Sequence, residues 1–157
     1  MNIIYNDIVR KTFAEEKCGV KRVTLEELLK RSDYVSMHVP LTEKTRGIIG
    51  KNELALMKSS AFLMNTSRGP VVDQQALCEA LKEKRIAGAG IDVYQKEPIA
   101  SDDPLLKLGN VVLTPHIGSD TVETRPAMAL MVVDDVIRVL KDKDPISVVN
   151  SELLQGK

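Results

Sequence analysis

The sequence predicts an α/β fold built on a parallel sheet, and two observations support this. Short runs that are almost entirely apolar, such as residues 34–39 and 61–64, alternate along the chain with amphipathic stretches such as residues 73–84. No internal repeat or low-complexity segment interrupts the alternation. Apolar strands separated by helices are typical of a doubly wound parallel sheet covered on both faces. In such sheets ligands bind at the carboxyl ends of the strands.

The first predicted elements are a strand, a helix and a second strand. The apolar run at residues 3–5 predicts a strand. Thr24 and Glu27 have the spacing of a capping box, which predicts a helix over the leucines that follow. The run at residues 34–39 predicts a buried strand that stops at Pro40, because proline cannot donate to a strand ladder.

The second half of the chain continues the alternation. Asp73 is predicted to cap a helix that reaches about residue 84. The longest predicted helix begins at Ser119 or Asp120 and extends to about Leu140, with a wide apolar stripe. Four shorter elements complete the prediction: a helix at 51–57 and strands at 61–64, 88–93 and 111–113.

Composition excludes several classes of protein. Lysine plus arginine equals aspartate plus glutamate at 22 each, which argues against a broad surface for nucleic acid or anionic membrane. No apolar run has the length of a membrane span, and the first residues do not resemble a secretory signal, so we expect a cytoplasmic protein. Cys18 and Cys78 belong to no metal-binding cluster and are interpreted as two reduced thiols, with no metal site.

Three ordered groups of motifs carry a family resemblance. They are His38-Val39-Pro40-Leu41-Thr42 with Thr45-Arg46-Gly47-Ile48-Ile49, then Asn65-Thr66-Ser67-Arg68-Gly69 with Val71-Val72-Asp73, and then Gly90-Ile91-Asp92-Val93-Tyr94 with Glu97-Pro98 and Thr114-Pro115-His116-Ile117-Gly118. In order and spacing they resemble the NAD-binding domain of the D-isomer-specific 2-hydroxyacid dehydrogenases. Any one of these short motifs is weak, but the ordered set is highly specific.

The resemblance implies a partial Rossmann-like domain. Residues 1–143 correspond to an N-terminally truncated NAD-binding domain, residues 144–157 form a C-terminal tail, and the separate substrate domain is absent. The glycine-rich G-x-G-x-x-G loop and the first strand are also lacking. Strand 1 is central in the sheet order 3-2-1-4-5-6, so we expect a gap between two groups of strands.

The resemblance also implies a catalytic set of three residues. Arg68 resembles the arginine that binds the substrate carboxylate, a role that suits the planar guanidinium. His116 resembles the general acid/base, and Glu97 resembles the carboxylate that orients it. From the residues alone, the commoner explanations are a solvated loop residue for Arg68, a histidine bonded to backbone for His116 and a surface glutamate for Glu97.

Cofactor contacts are expected beside the same loops. Asp7 follows the first strand, where an acidic residue binds the adenosine ribose hydroxyls, so NAD is expected rather than NADP. Arg10 lies close enough in sequence to keep NADP as an alternative, and Asp7 could instead be only a capping residue. The other expected cofactor contacts are Val39, Pro40, Thr66, Ser67, Arg68, Asp92, His116, Gly118 and Ser119.

These expectations define the hypothesis for function. The resemblance implies an NAD-dependent oxidoreductase that acts on a small 2-hydroxy or 2-keto acid, similar to hydroxypyruvate and glyoxylate reductases, and homodimeric in its complete form. We expect the 157-residue chain alone to be inactive and to associate or dissolve poorly. The alternatives are a non-catalytic NAD-sensing interaction module and an inactive truncated remnant.

Overall fold

The computed structural model describes residues 1–151, which fall into two compact units. The first unit spans Met1–His116 and contains every strand of the described chain. The second unit begins at Ile117 and contains one long helix. The two units are described separately below.

The first unit begins with a small parallel sheet. Strands β1 (Ile4–Tyr5) and β2 (Lys21–Arg22) pair in parallel and are connected by helix α1 (Thr12–Cys18). The helix ends at Gly19, whose φ of 66° lies in the left-handed region that favours glycine. The sequence analysis missed both α1 and β2. Strand β2 consists of two exposed charged residues, so no apolar run marks it.

The larger sheet has four parallel strands in the order β3-β4-β5-β6. Its strands are β3 (Tyr34–Met37), β4 (Phe62–Asn65), β5 (Gly88–Ile91) and β6 (Val111–Leu113), and its helices are α2 (Leu25–Arg31), α3 (Lys51–Leu56) and α4 (Gln74–Lys82). This confirms the predicted parallel α/β fold, and the strands form two separate groups as expected. Most predicted boundaries shift by one to three residues.

The core of this unit lies on one face of the four-stranded sheet. Val35, Leu63 and Ile91 point from successive strands into the same buried cluster as Leu54 of α3 and Leu77 of α4. Burying each of these aliphatic side chains stabilises the fold by about 1.5–3 kcal/mol. Two side-chain oxygens begin helices as the capping patterns predict. Thr24 accepts from the backbone of α2, and Asp73 from that of α4.

The opposite face of the sheet differs from the expectation of two covered faces. Tyr34, Phe62 and Val112 alternate with the buried residues and are exposed. The rings of Tyr34 and Phe62 stack with their centroids 5.7 Å apart, so each ring covers one face of the other. The prediction of a covered face is therefore wrong at these three positions, because an apolar run does not reveal what packs on each side.

The second unit contains helix α5 (Thr124–Leu140). It begins four or five residues later than predicted, because Thr121 Oγ1 accepts the Thr124 N–H at the start of the helix, 3.1 Å away. None of its residues is buried. Among residues 1–151, no helix is long and apolar enough to cross a membrane. Residues 152–157 of the predicted tail lie outside the described residues.

Candidate functional site

The predicted catalytic residues follow three neighbouring strands at one edge of the sheet. Arg68 follows β4, Glu97 follows β5 and His116 follows β6. Because β4, β5 and β6 are parallel, their carboxyl ends meet at the same edge. Sheet topology therefore brings together three residues that are far apart in sequence.

The loop that carries Arg68 is shaped by the buried side chain of Asn65. Asn65 Oδ1 accepts the Ser67 N–H at 3.1 Å and the Ser67 hydroxyl at 3.0 Å, and its Nδ2 donates to the Arg68 carbonyl at 3.0 Å. The exposed Arg68 guanidinium donates to the Ser67 carbonyl at 2.6 Å. Sequence analysis quoted Asn65 only as part of a motif. The available signal was an amide residue at the end of a buried strand.

The Arg68 loop lies directly against the loop that carries Glu97. A Cβ on Gly69 would lie 1.9 Å from the Tyr94 carbonyl oxygen, so only glycine fits at this position. The Gln95 side-chain amide donates to the Val72 carbonyl at 2.9 Å and more weakly to that of Gly69 at 3.3 Å. These contacts hold the two loops in one arrangement.

The central feature of the site is the contact between His116 and Glu97. His116 Nδ1 lies 2.7 Å from Glu97 Oε2, and Glu97 Oε1 accepts the Tyr94 N–H at 3.0 Å. The side chains of His116 and Glu97 remain 48% and 38% exposed, so both can be reached from solvent. A carboxylate at Nδ1 orients the imidazole and leaves the Nε2 edge for chemistry.

Electrostatics link all three predicted catalytic residues. The hydrogen bond from His116 is the main cause that lowers the pKa of Glu97, followed by the hydrogen bond from the Tyr94 N–H, while desolvation opposes the shift. The charges of His116, when protonated, and of Arg68 also lower this pKa. Arg68 is therefore close enough to act on the same carboxylate, and Glu97 stays ionised at neutral pH.

Asp92 is held beneath these loops. It is buried, its Oδ1 accepts the Thr114 hydroxyl at 2.5 Å, and its N–H donates to the Asn65 carbonyl at 3.0 Å. Thr66 is exposed, whereas Ser67 is buried. Asp92 thus joins the ends of β4, β5 and β6, and its predicted contact with the nicotinamide stays a prediction.

The remaining predicted cofactor contacts lie on other loops. Val39 is half-buried and Pro40 is exposed after β3, where the Thr45 hydroxyl donates to the Pro40 carbonyl at 2.6 Å. Gly118 and Ser119 belong to the second unit, so their predicted role beside the nicotinamide stays a prediction.

Asp7 lies in the loop after β1. Its Oδ1 accepts the Val9 N–H at 2.8 Å, which is the main cause that lowers the pKa of Asp7, and its Oδ2 lies 3.3 Å from Lys11 Nζ. Asp7 therefore carries a negative charge at neutral pH. Arg10 is paired with Glu15 at 2.8 Å, beside a recess of about 450 Å³ that Lys21 also lines.

Known proteins and one protein family resemble this chain. The model of the family described as "D-isomer specific 2-hydroxyacid dehydrogenase, NAD binding domain" matches residues 1–118. A glyoxylate reductase from Korarchaeum cryptofilum is 53% identical over 155 residues, which cover 99% of this chain and 47% of that protein. A glyoxylate/hydroxypyruvate reductase B from Enterobacter agglomerans is 46% identical over 155 residues, covering 99% of this chain and 48% of that protein.

A solved structure extends the comparison to three dimensions. The crystal structure of TT0316 protein from Thermus thermophilus matches with a TM-score of 0.88 and 40% identity, covering 95% of this chain and 46% of that chain. The chain spans about half the length of the curated relatives it matches. With a family model that covers more than half of the sequence, this chain belongs to the D-isomer-specific 2-hydroxyacid dehydrogenase family.

Proposed function

We propose that the complete protein reduces a small 2-keto acid, of the size of glyoxylate or hydroxypyruvate, to the 2-hydroxy acid with NADH. The observation that carries this proposal is the 2.7 Å contact between His116 Nδ1 and Glu97 Oε2. The names of the relatives support the choice of substrate class.

His116 would supply the proton of the reaction. Reduction of a keto group needs a hydride on the carbonyl carbon and a proton on the carbonyl oxygen. Glu97 accepts from Nδ1 and orients the ring, so the Nε2–H of the protonated imidazole is the group that donates to the carbonyl oxygen. In the reverse direction neutral His116 takes the proton from the hydroxyl group.

Arg68 would bind the carboxylate of the substrate. A guanidinium has five N–H donors in a planar fork, and one of them already donates to the Ser67 carbonyl. The remaining donors can engage a carboxylate bidentately, and the guanidinium is exposed. Anchoring the carboxylate beside His116 orients the adjacent keto group toward the acid.

The residues present fit NAD at two ends of the cofactor. The ionised Asp7 carboxylate suits the ribose hydroxyls of adenosine and opposes a 2′-phosphate, and the engagement of Arg10 by Glu15 favours NAD over NADP. Thr66, Ser67 and Asp92 lie by the nicotinamide end in this proposal. Bound NADH would supply the hydride.

The proposal assigns this activity to the complete protein, which we expect to be a homodimer in the cytoplasm. The 157 residues contain no G-x-G-x-x-G loop and span about half the length of the relatives, so we expect no turnover from them alone.

The test is NADH oxidation by the protein as its own cell produces it, with glyoxylate and hydroxypyruvate as substrates and NADPH as the comparison cofactor. We expect turnover with NADH, and a higher KM for the keto acid in Arg68→Ala than in the control Arg31→Ala, which changes an exposed arginine at the end of helix α2. Tight NADH binding without turnover of any 2-keto acid would contradict the proposal and favour an NAD-sensing interaction module.

A further inference from the structure

Tyr94 lies on the loop that carries Glu97, and its side chain reaches the loop that carries His116. Only 8% of the residue is exposed. Its hydroxyl donates to the Thr114 carbonyl at 2.8 Å, with the Ile91 carbonyl as a weaker acceptor at 3.3 Å. The side chain thus reaches from the end of β5 to the end of β6.

The Thr114 carbonyl is the hydrogen-bond acceptor that stabilises the turn at His116. It accepts the His116 N–H at 3.1 Å as well as the Tyr94 hydroxyl, and the Thr114 N–H donates to the Ile91 carbonyl at 3.0 Å. His116 has a φ of 55°, in the left-handed region that is uncommon for residues other than glycine. A residue in this region needs surrounding contacts to keep it there.

Tyr94 also holds the other partner of the histidine. Its backbone N–H donates to Glu97 Oε1 at 3.0 Å, while Glu97 Oε2 lies 2.7 Å from His116. One residue therefore fixes the carboxylate through its backbone and the histidine turn through its hydroxyl.

We propose that the Tyr94 hydroxyl is a positioning group that keeps the His116 imidazole within hydrogen-bond distance of Glu97 for proton transfer. This inference rests on the proposed function, in which His116 is the acid. The hydroxyl does not touch the reacting atoms in this scheme. It acts through the Thr114 carbonyl, two residues before the histidine.

Several charged groups surround the Tyr94 hydroxyl and the Glu97 carboxylate. Burial is the largest cause that raises the pKa of Tyr94, the charges of Asp92 and Glu97 on the β5 loop raise it further, and Asp103 adds a smaller effect. Arg68 is the cation on the β4 side whose charge acts on Glu97. The Tyr94 hydroxyl therefore stays protonated and able to donate throughout the neutral range.

The test compares Tyr94→Phe, which removes only the hydroxyl, with Tyr34→Phe in the complete protein. Tyr34 is a matched control because its ring is exposed on β3 and stacks on Phe62. We expect Tyr94→Phe to lower kcat for glyoxylate about 10-fold, since small displacements of catalytic groups are costly. The KM for NADH should not change. Tyr34→Phe should match the wild type in both.

The split between kcat and KM separates a positioning role from a merely structural one. A displaced His116 slows the proton-transfer step, so kcat should fall while the KM values for glyoxylate and NADH stay near those of the wild type. A double-mutant cycle with Glu97→Gln gives a second readout. Tyr94→Phe should cost little further activity in that background.

Wild-type kinetics in Tyr94→Phe would overturn the inference. So would a rise in the KM for glyoxylate or NADH as large as the fall in kcat, additive losses in the cycle, or a variant that fails to fold and thereby makes the hydroxyl a folding determinant. His116→Ala separates the two proposals. Full glyoxylate turnover in His116→Ala defeats the proposed function, whereas an inactive His116→Ala beside a wild-type Tyr94→Phe defeats only the role of Tyr94.

Discussion

Glu97 receives a hydrogen bond on each of its two carboxylate oxygens, one from the Tyr94 N–H and one from His116. Both bonds favour the ionised form, so the pKa of Glu97 is lowered. Because this pKa is lowered, Glu97 is ionised and its hydrogen bond with His116 is fully formed at any pH above the ordinary pKa of a glutamate. The contact is lost only as pH falls through the lower value of the folded state.

The lowered pKa of Glu97 can be measured directly by titration of its carboxyl group. In the folded protein the ¹³C signal of the Glu97 carboxyl carbon should titrate below the ordinary range of a glutamate. In His116→Ala the pKa of Glu97 should rise toward that range, because the largest cause of the shift has been removed. An identical Glu97 titration in the two proteins would contradict the contact.

Sequence could predict the chemistry of individual residues but not all of their partners. Arg68, Glu97 and His116 were identified because family motifs contain them, and the structure brings them to one edge of the sheet. The supporting roles of Asn65 and Tyr94 escaped prediction. Their hydrogen bonds depend on loop geometry that spacing along the chain does not reveal.

At the scale of elements, the site depends on close approach of the loops after β4 and β5. Gly69 permits this approach, because any Cβ there would overlap the Tyr94 carbonyl. The sequence identifies Gly69 only as part of a motif. Its contact with Tyr94 joins loops 25 residues apart in sequence and follows from the pairing of β4 with β5.

Gly69→Ala should therefore lower both stability and activity. We expect the free energy of unfolding to fall by about 1–3 kcal/mol or more, as for other overpacked sites. Urea unfolding and glyoxylate turnover of the complete protein measure the two effects. Gly109→Ala is the matched control, because nothing lies within 4 Å of its added Cβ. Equal stability of the two variants would contradict the close packing of the loops.

Periodicity predicted the elements with apolar faces and missed those without. Strands β3, β4 and β5 and helix α4 have buried positions that mark them in the sequence. Helix α1 buries no residue and β2 is two charged residues, so neither has a pattern to detect. Gly19 after α1 was the available signal for that helix.

At the scale of the whole molecule, two apolar surfaces are exposed. One contains Tyr34, Phe62 and Val112 on the four-stranded sheet, and the other lies along α5, where Leu130, Val132 and seven other large apolar residues are exposed. The split into two sheets was predicted only through the family resemblance, because spacing along the chain does not indicate which strand is central.

These surfaces predict the behaviour of the 157-residue chain expressed alone. It should self-associate, since exposed apolar patches and open strand edges favour contacts between copies. Sedimentation velocity over a range of concentrations measures the association. A monodisperse monomer that unfolds cooperatively would contradict this prediction. Lys58→Ala, which keeps every apolar residue of both surfaces, should leave the association unchanged.

The central claim is that His116 moves the proton and does not merely support the fold. The most direct measurement is NADH affinity and glyoxylate turnover of His116→Ala in the complete protein, with His38→Ala, the other histidine of the chain, as control. We predict that His116→Ala loses turnover by about 10²–10⁴-fold while its Kd for NADH changes far less, and that His38→Ala matches the wild type. Parallel losses of NADH affinity and turnover in His116→Ala, or full turnover in that variant, would contradict the account.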